Sequence, residues 1–391
     1  MATVLLGWEL GRGIGYARRL ALVAAALARL GHRPVLALRD PAATWVPAGA
    51  GAFEIVPAPY VIGRLKPGTR RFTPASFADL MACNGFGHSR HLTPLLAAWR
   101  GLLDWVRPAL VVAEYSPALT LAAWRRVPTL LLGTPYLLPP AEEPWFPAHR
   151  SDWPAYAAPE EILTAMVEAQ RQLGLTAPER MTQPFAEAAR LVYGFPEIDP
   201  HAGRRREPLA GPFEPVPEAT PPPAEMLLFA YLSPEAKGFA ELADGLSTLG
   251  GLATAYIPDC PAGTAEKLGQ AGVKVLSEPP PLATAVAAAT LIFHHGGIDT
   301  AQTALALGRP QILAPRHLDQ SLTAGLLVDL GLARRLSARV GAAETASALR
   351  QALADRQLTE AAWVRSQILR RRGMGSGLEG AVERAAAMLE G

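Results

Sequence analysis

The chain alternates between short runs of consecutive apolar residues and longer stretches in which apolar positions recur every three or four residues. The first run, residues 3–6, has no regular polar position to mark a wet face, the pattern of a strand covered on both sides. Residues 17–30 follow as an Ala- and Leu-rich helix stopped by Gly31, and residues 34–38 as a second strand. A helix near 94–105, a strand at 109–113, a helix near 119–125 and a strand at 129–132 continue the series. Alternation of this kind predicts a parallel sheet with helices on both faces.

Between residues 195 and 223 the texture changes. Prolines crowd, Arg204-Arg205-Arg206 interrupts and no apolar period is visible, which reads as an interdomain linker. The alternation then restarts, with strands at 226–231, 252–257, 273–276, 291–293 and 311–314. Helices are expected at 238–249, 262–271, near 282–289, up to 305–307 and at 320–330, then near 344–372 and at 378–389. The expected organisation is an N-terminal domain over 1–205, a linker over 206–224, a C-terminal domain over 225–372, and a last helix within 373–391 returning to the first domain. Two doubly wound, Rossmann-like α/β domains facing across a cleft would present strand C-terminal ends from both halves to a ligand.

Composition narrows the classes. The chain has 391 residues, enough for a full core in each of two or three domains. Lys and Arg total 37 against 35 Asp and Glu, a formal charge of +2, so no bulk field is available to grip nucleic acid, and no nucleic-acid partner is expected. Arg far outnumbers Lys among the basic residues and there are 37 Pro, a usage that suggests a GC-rich, bacterial source. Cys83 and Cys260 match no metal or redox spacing and fit a reducing compartment. The N-terminus lacks the pattern of a signal peptide, and the most apolar stretches, 20–30 and 282–293, are too short to cross a bilayer. A soluble, cytoplasmic protein is expected, with its oligomeric state open.

The segment Phe293-His294-His295-Gly296-Gly297-Ile298-Asp299-Thr300 follows an expected strand and opens an expected helix. Glycines let the backbone approach a ligand closely, and the first N–H groups of the helix, with its dipole, favour a phosphate. A histidine beside them adds a donor and Thr300 a hydroxyl. The bland alternative is an ordinary helix start after a tight turn.

Continued through Ala304-Leu-Ala-Leu-Gly-Arg-Pro310, Gln311-Ile-Leu-Ala-Pro315 and Leu318-Asp319-Gln320 to Leu330-Gly331, this stretch resembles the donor-binding signature of glycosyltransferase family 1. That family includes UDP-glycosyltransferases and macrolide glycosyltransferases and has the GT-B fold. The resemblance is dense over residues 293–331; weaker echoes are the Gly-rich N-terminal loop, Gly31-His32 and the Pro-rich linker. It implies an inverting, metal-independent enzyme that moves a hexose from a nucleotide-diphosphate sugar, of UDP or dTDP type, to a hydroxyl of a small-molecule acceptor, with no separate cofactor. By that resemblance His295, Gly296 and Gly297 hold the donor diphosphate, Thr300 bonds a phosphate oxygen, Asp319 and Gln320 bond sugar hydroxyls, Ser233 places a hydroxyl near the phosphates, and the base packs at residues 279–282. A carboxylate beside an amide suits adjacent hydroxyls, which both donate and accept. Asp299 departs from the family's Gly, or Asn in plant members; a carboxylate there would compete with or repel a diphosphate, so it points away, bonds a sugar hydroxyl, or the donor is unusual.

Inverting members of the family use a His in the first Gly-rich loop, oriented by an Asp at a later strand end. Here the loop is Gly7-Trp-Glu9-Leu-Gly11-Arg-Gly13-Ile-Gly15-Tyr16, Tyr16 stands in the His position, and Glu114 matches the Asp. Glu9, Tyr16 and Glu114 are therefore the candidate catalytic residues, although a phenol titrates near 10 and is a poor base at neutral pH. His88 and His91 are spaced as metal ligands but lack a third, and Trp145 and Trp153 suit either an aromatic acceptor pocket or the core. Arg370-Arg-Arg372 reads as a solvated helix end. Three rivals remain: an NAD-dependent oxidoreductase using Gly11-x-Gly13-x-Gly15 with Asp40, a non-catalytic nucleotide-sugar-binding or auxiliary GT-B protein, and a nucleotide-sugar epimerase. No Asp-x-Asp pair occurs, so the metal grip of the other major transferase fold is missing.

Overall fold

The computed structural model describes residues 1–11, 13–43, 53–63, 65, 72–150, 152–337, 339–373 and 375–391. The chain divides into two compact units, one of residues 1–193, 201–213 and 376–391, the other of 194–200 and 214–375.

The first unit runs β1 (Thr3–Trp8), α1 (Ile14–Arg29), β2 (Arg33–Leu38), β3 (Glu54–Pro57), α2 (Phe77–Met81), α3 (Ser89–Val106), β4 (Leu110–Glu114), α4 (Pro117–Ala123), β5 (Thr129–Gly133), α5 (Pro159–Gln172), α6 (Gln183–Ala186) and β6 (Ala189–Val192). All its strands are parallel, in the order β3-β2-β1-β4-β5-β6. Alternate residues of β1 serve opposite faces. Leu5 joins the core beneath α3, α4 and α5, while Val4, Leu6 and Trp8 pack under α1. This double burial explains why the interior strands read as unbroken apolar runs.

The second unit runs β7 (Leu228–Tyr231), α7 (Phe239–Ser247), β8 (Ala253–Tyr256), α8 (Ala262–Gln270), β9 (Lys274–Leu276), α9 (Leu282–Ala287), β10 (Leu291–His294), α10 (Ile298–Leu307), β11 (Gln311–Leu313), α11 (Leu318–Asp329), β12 (Ala333–Arg335), α12 (Ala342–Ala354) and α13 (Arg356–Arg372). Its parallel strands follow the order β12-β11-β10-β7-β8-β9. The final helix, α14 (Gly377–Glu390), belongs to the first unit, where Ala381 and Ala385 are buried in the core that α1 shares.

Three differences from the expected elements have local causes. The segment expected as a linker divides between the units: residues 206–213 stay with the first, whereas Val216 packs in the second and the Thr220 carbonyl accepts from Arg309. The single helix expected near 344–372 is two, because the Asp355 backbone leaves the helical conformation and its side chain accepts the Leu358 N–H at 3.0 Å, capping α13. Strands β3, β6 and β12 were not expected. All three are edge strands, and β12 carries two arginines.

A long-range contact holds α4 to the sheet. Pro117 stands at its first position and has no N–H, and the Ser116 hydroxyl donates to the Gly7 and Glu114 carbonyls instead of capping the helix. Glu9, at the end of neighbouring β1, supplies the cap: the Ala118 N–H donates to Oε1 at 3.0 Å and the Leu119 N–H to Oε2 at 3.2 Å. Glu9→Ala should therefore cost about 1–3 kcal/mol of stability for each of the two buried amides it leaves unpaired. Glu9→Gln, which keeps one acceptor oxygen, should cost less. Urea unfolding of both variants checks this; a Glu9→Ala protein as stable as the parent removes the cap from the account.

Candidate active site

At the end of β10 the chain turns through His295, Gly296 and Gly297 into α10. Gly296 has a φ of +87°, and a Cβ there would lie 3.0 Å from the Gln320 carbonyl oxygen, so both backbone conformation and space require glycine. The Gly296 N–H donates to His294 Nδ1 at 3.1 Å, which places the ring proton on Nε2, facing Gln311 Oε1 at 2.8 Å. The Gln311 amide in turn donates to the Ala301 carbonyl in α10. His295 joins two other connections: the Ser233 N–H donates to its Nε2 at 2.8 Å, and its Nδ1–H points to the Ala314 carbonyl at 2.7 Å.

Both imidazoles are neutral. Burial pushes each pKa down to about 4, outweighing the Gln311 bond to His294 and the Ala314 bond to His295. In this tautomer His295 has no N–H left for a phosphate, unlike the expectation drawn from the motif; its ring fixes the Ser233 loop. Gln311 is a contributor that the sequence reading did not single out. Its signal was a fully buried polar residue opening an otherwise apolar strand.

The N-terminus of α10 is uncapped by side chains. The Ala301 N–H is bonded back to the Gly297 carbonyl at 3.0 Å, so the N–H groups of Ile298, Asp299 and Thr300 precede the helical ladder and have no acceptor within it. With the helix dipole they form an anion-accepting end, beside the buried Thr300. The Gly296 turn brings this end against the first turn of α11, which carries Asp319 and Gln320. Burial raises the Asp319 carboxyl above its usual range, partly offset by the Gln320 N–H. Gln320 Oε1 accepts the Arg316 N–H at 2.8 Å. Asp299 Oδ1 accepts from Gln302 at 3.3 Å, and its charge, after burial and Tyr256, helps raise the phenol of Tyr231 at the end of β7. Residues 279–282 lie between β9 and the first residue of α9 in the same unit. One sheet edge therefore collects Ser233, His295, Gly296, Gly297, Asp299, Thr300, Asp319 and Gln320.

In the first unit the candidate carboxylates are occupied. Glu9 is 1 % exposed with both oxygens on α4, and burial raises its pKa to about 8 against those two N–H bonds. Glu114 is fully buried; its Oε1 accepts from Arg19 Nε at 2.7 Å and from the Tyr193 hydroxyl at 2.8 Å. Arg19 lies over the Tyr16 ring, 5.2 Å from its centroid, and that partly exposed ring stacks on Trp8 and meets Tyr115 at a tilt. His88 caps α3 by accepting the Arg90 N–H, Trp145 packs on the core, and Arg150 covers Trp153. Arg370 donates to the Pro217 carbonyl and Arg372 pairs with Glu197, so these helix-end cations are engaged. Among the described residues no group of three or more His, Cys, Asp or Glu is placed to hold a metal, and no helix is long and apolar enough to cross a membrane.

No protein-family model matches the chain, and no curated protein does. Solved structures do. The calicheamicin glycosyltransferase CalG4 superposes with a TM-score of 0.68 at 18% identity, covering 100% of this chain and 98% of that one. SnogD, a glycosyltransferase from Streptomyces nogalater, gives 0.59 at 22% identity over 99% of both chains. The glycosyltransferase VinC, solved in complex with dTDP, gives 0.64 at 17% identity over 100% of both. At these identities the likeness establishes the fold: the chain has the two-unit α/β architecture of these GT-B glycosyltransferases.

Proposed function

We propose that the protein is a glycosyltransferase that moves a hexose from a nucleoside-diphosphate sugar to a hydroxyl of a small-molecule acceptor, with inversion and without a metal. The observation that carries this reading is the meeting, at the C-terminal ends of β10 and β11, of the α10 N-terminus and Thr300 with Asp319 and Gln320. That arrangement pairs an anion-accepting group with a hydroxyl-binding one, as a sugar diphosphate requires. VinC, which was solved with dTDP, supports a pyrimidine donor.

In the proposed reaction the acceptor oxygen attacks the anomeric carbon on the face opposite the diphosphate. The bond from that carbon to the diphosphate oxygen breaks, and its electron pair leaves with the diphosphate. The N–H groups of Ile298, Asp299 and Thr300 meet the charge that develops there. His295 is a positioning residue that holds Ser233 and the β11–α11 connection on one ring. Because Glu9 and Glu114 are bound to α4 and to Arg19 and Tyr193, the Tyr16 hydroxyl is the candidate left to take the acceptor proton. The same engaged carboxylates favour a second reading, a nucleotide-sugar-binding protein without turnover.

Calorimetric titration with UDP, dTDP, GDP and NAD without added metal, followed by a transfer assay against phenolic and alcoholic acceptors, separates these. Transfer with tight binding of one pyrimidine diphosphate is the expected result. Binding without transfer selects the second reading, and absence of diphosphate binding overturns both. Thr300→Val should weaken diphosphate binding about tenfold, the loss of one hydrogen bond to a charged group. Tyr16→Phe should depress transfer and leave donor affinity unchanged.

The site also requires neutral histidines. Since His294 and His295 have folded pKa values of about 4 against 6.5 ordinarily, their contribution is complete above pH 6.5 and is lost as pH falls through 4. Each adds about 1.4 kcal/mol per pH unit of dependence inside that window. Thermal unfolding should weaken steeply from pH 6.5 to 4.5, and His294→Gln should flatten the slope by about one proton; an unchanged slope removes His294 from the pH response.

A further inference from the structure

A pocket of about 230 Å³ opens at the C-terminal side of the second sheet, between the β7–α7, β11–α11 and β12–α12 connections. Its wall includes Ala314, whose carbonyl accepts from His295, so the pocket adjoins the site described above. Lys237, Arg316, His317 and Glu235 bring charge or polarity to its lining. The Arg316 side chain is 18% exposed, and its Nη2 lies 2.9 Å from Oε2 of Glu235, a side chain 85% exposed. An ion pair with one partner almost wholly in water contributes little and is readily exchanged.

The α10 terminus supplies roughly half a positive charge, and the neutral His295 adds none. The Arg316 backbone N–H is held by Gln320, and its guanidinium acts electrostatically on His295.

Resting on the transferase reading, we propose that Arg316, seconded by Lys237, receives the diphosphate of the donor, the guanidinium exchanging the Glu235 carboxylate for phosphate oxygens. The planar guanidinium suits two oxygens of one phosphate, and Lys237 adds a point charge on the loop that already carries Ser233. Glu235 acts as the placeholder that keeps Arg316 extended before the donor arrives.

The test is calorimetric titration of the full chain and its variants with dTDP and UDP, each compared with its monophosphate and nucleoside. Arg316→Gln should weaken diphosphate binding between about ten- and a hundredfold, the range for a charge-assisted contact, and leave the nucleoside nearly unchanged. Glu235→Gln, a change at an exposed side chain, should strengthen diphosphate binding severalfold by removing the competitor. Arg316→Gln binding like the parent, or losing nucleoside and diphosphate equally, overturns the proposal while leaving the transferase reading intact. Unaltered or weaker diphosphate binding by Glu235→Gln overturns the exchange. A parent protein that binds no nucleoside diphosphate overturns the transferase reading itself.

Discussion

The passage of the Gly296 turn over the first turn of α11 is the contact on which the donor-side arrangement rests. With 3.0 Å between the place of a Cβ and the Gln320 carbonyl, any side chain would push α11 away from α10. The consequence is chemical as well as steric, because those two helix starts carry the anion-accepting amides and the pair Asp319 and Gln320. Strand order supplies the rest. β10 lies between β7 and β11, so the connections that follow all three converge on the single imidazole of His295.

Holding loops with buried histidines constrains the electrostatics. A neutral ring is the form that burial favours, and each nitrogen then has one fixed role, donor or acceptor. His294 and His295 spend those roles on Gly296, Gln311, Ser233 and Ala314. Positive charge for a ligand has to come from backbone amides and from cations on flanking loops. The arrangement gains rigidity from the histidines and loses the cation that a less buried imidazole would offer.

What could be read from the sequence follows from which strands are wet. β1, β4, β7 and β10 are interior, covered on both faces, and show as continuous apolar runs; β3, β6 and β12 are edge strands of three or four residues and carry no such signal. The motif around Gly296 was legible because its parts lie within residues 293–331 and Gly296 marks a turn that only glycine tolerates. The partners of Glu9 and Glu114 were not. Ala118, Arg19 and Tyr193 lie 79 to 109 positions away, and only the adjacency of β1 to β4 and of β5 to β6 brings them together. A glutamate at a strand end looks the same in sequence whether it faces a ligand or a helix start.

That ambiguity is resolved by the missing amide of Pro117. Proline at the first helical position pre-sets the backbone but leaves two further N–H groups, and Ser116, the residue placed to serve them, is turned toward Gly7 and Glu114. Glu9 takes both. To swing toward an acceptor it would have to expose or orphan the Ala118 and Leu119 amides, at about 1–3 kcal/mol each, in a place with no water to replace it. Glu114 is held in the same way by a buried guanidinium, and removing one partner of such a pair is strongly destabilising. Carboxylates that hold elements together at this cost are poor candidates to move with a proton, which is why the proposed transfer assigns the acceptor proton to Tyr16, the one member of the trio whose side chain is partly open to solvent.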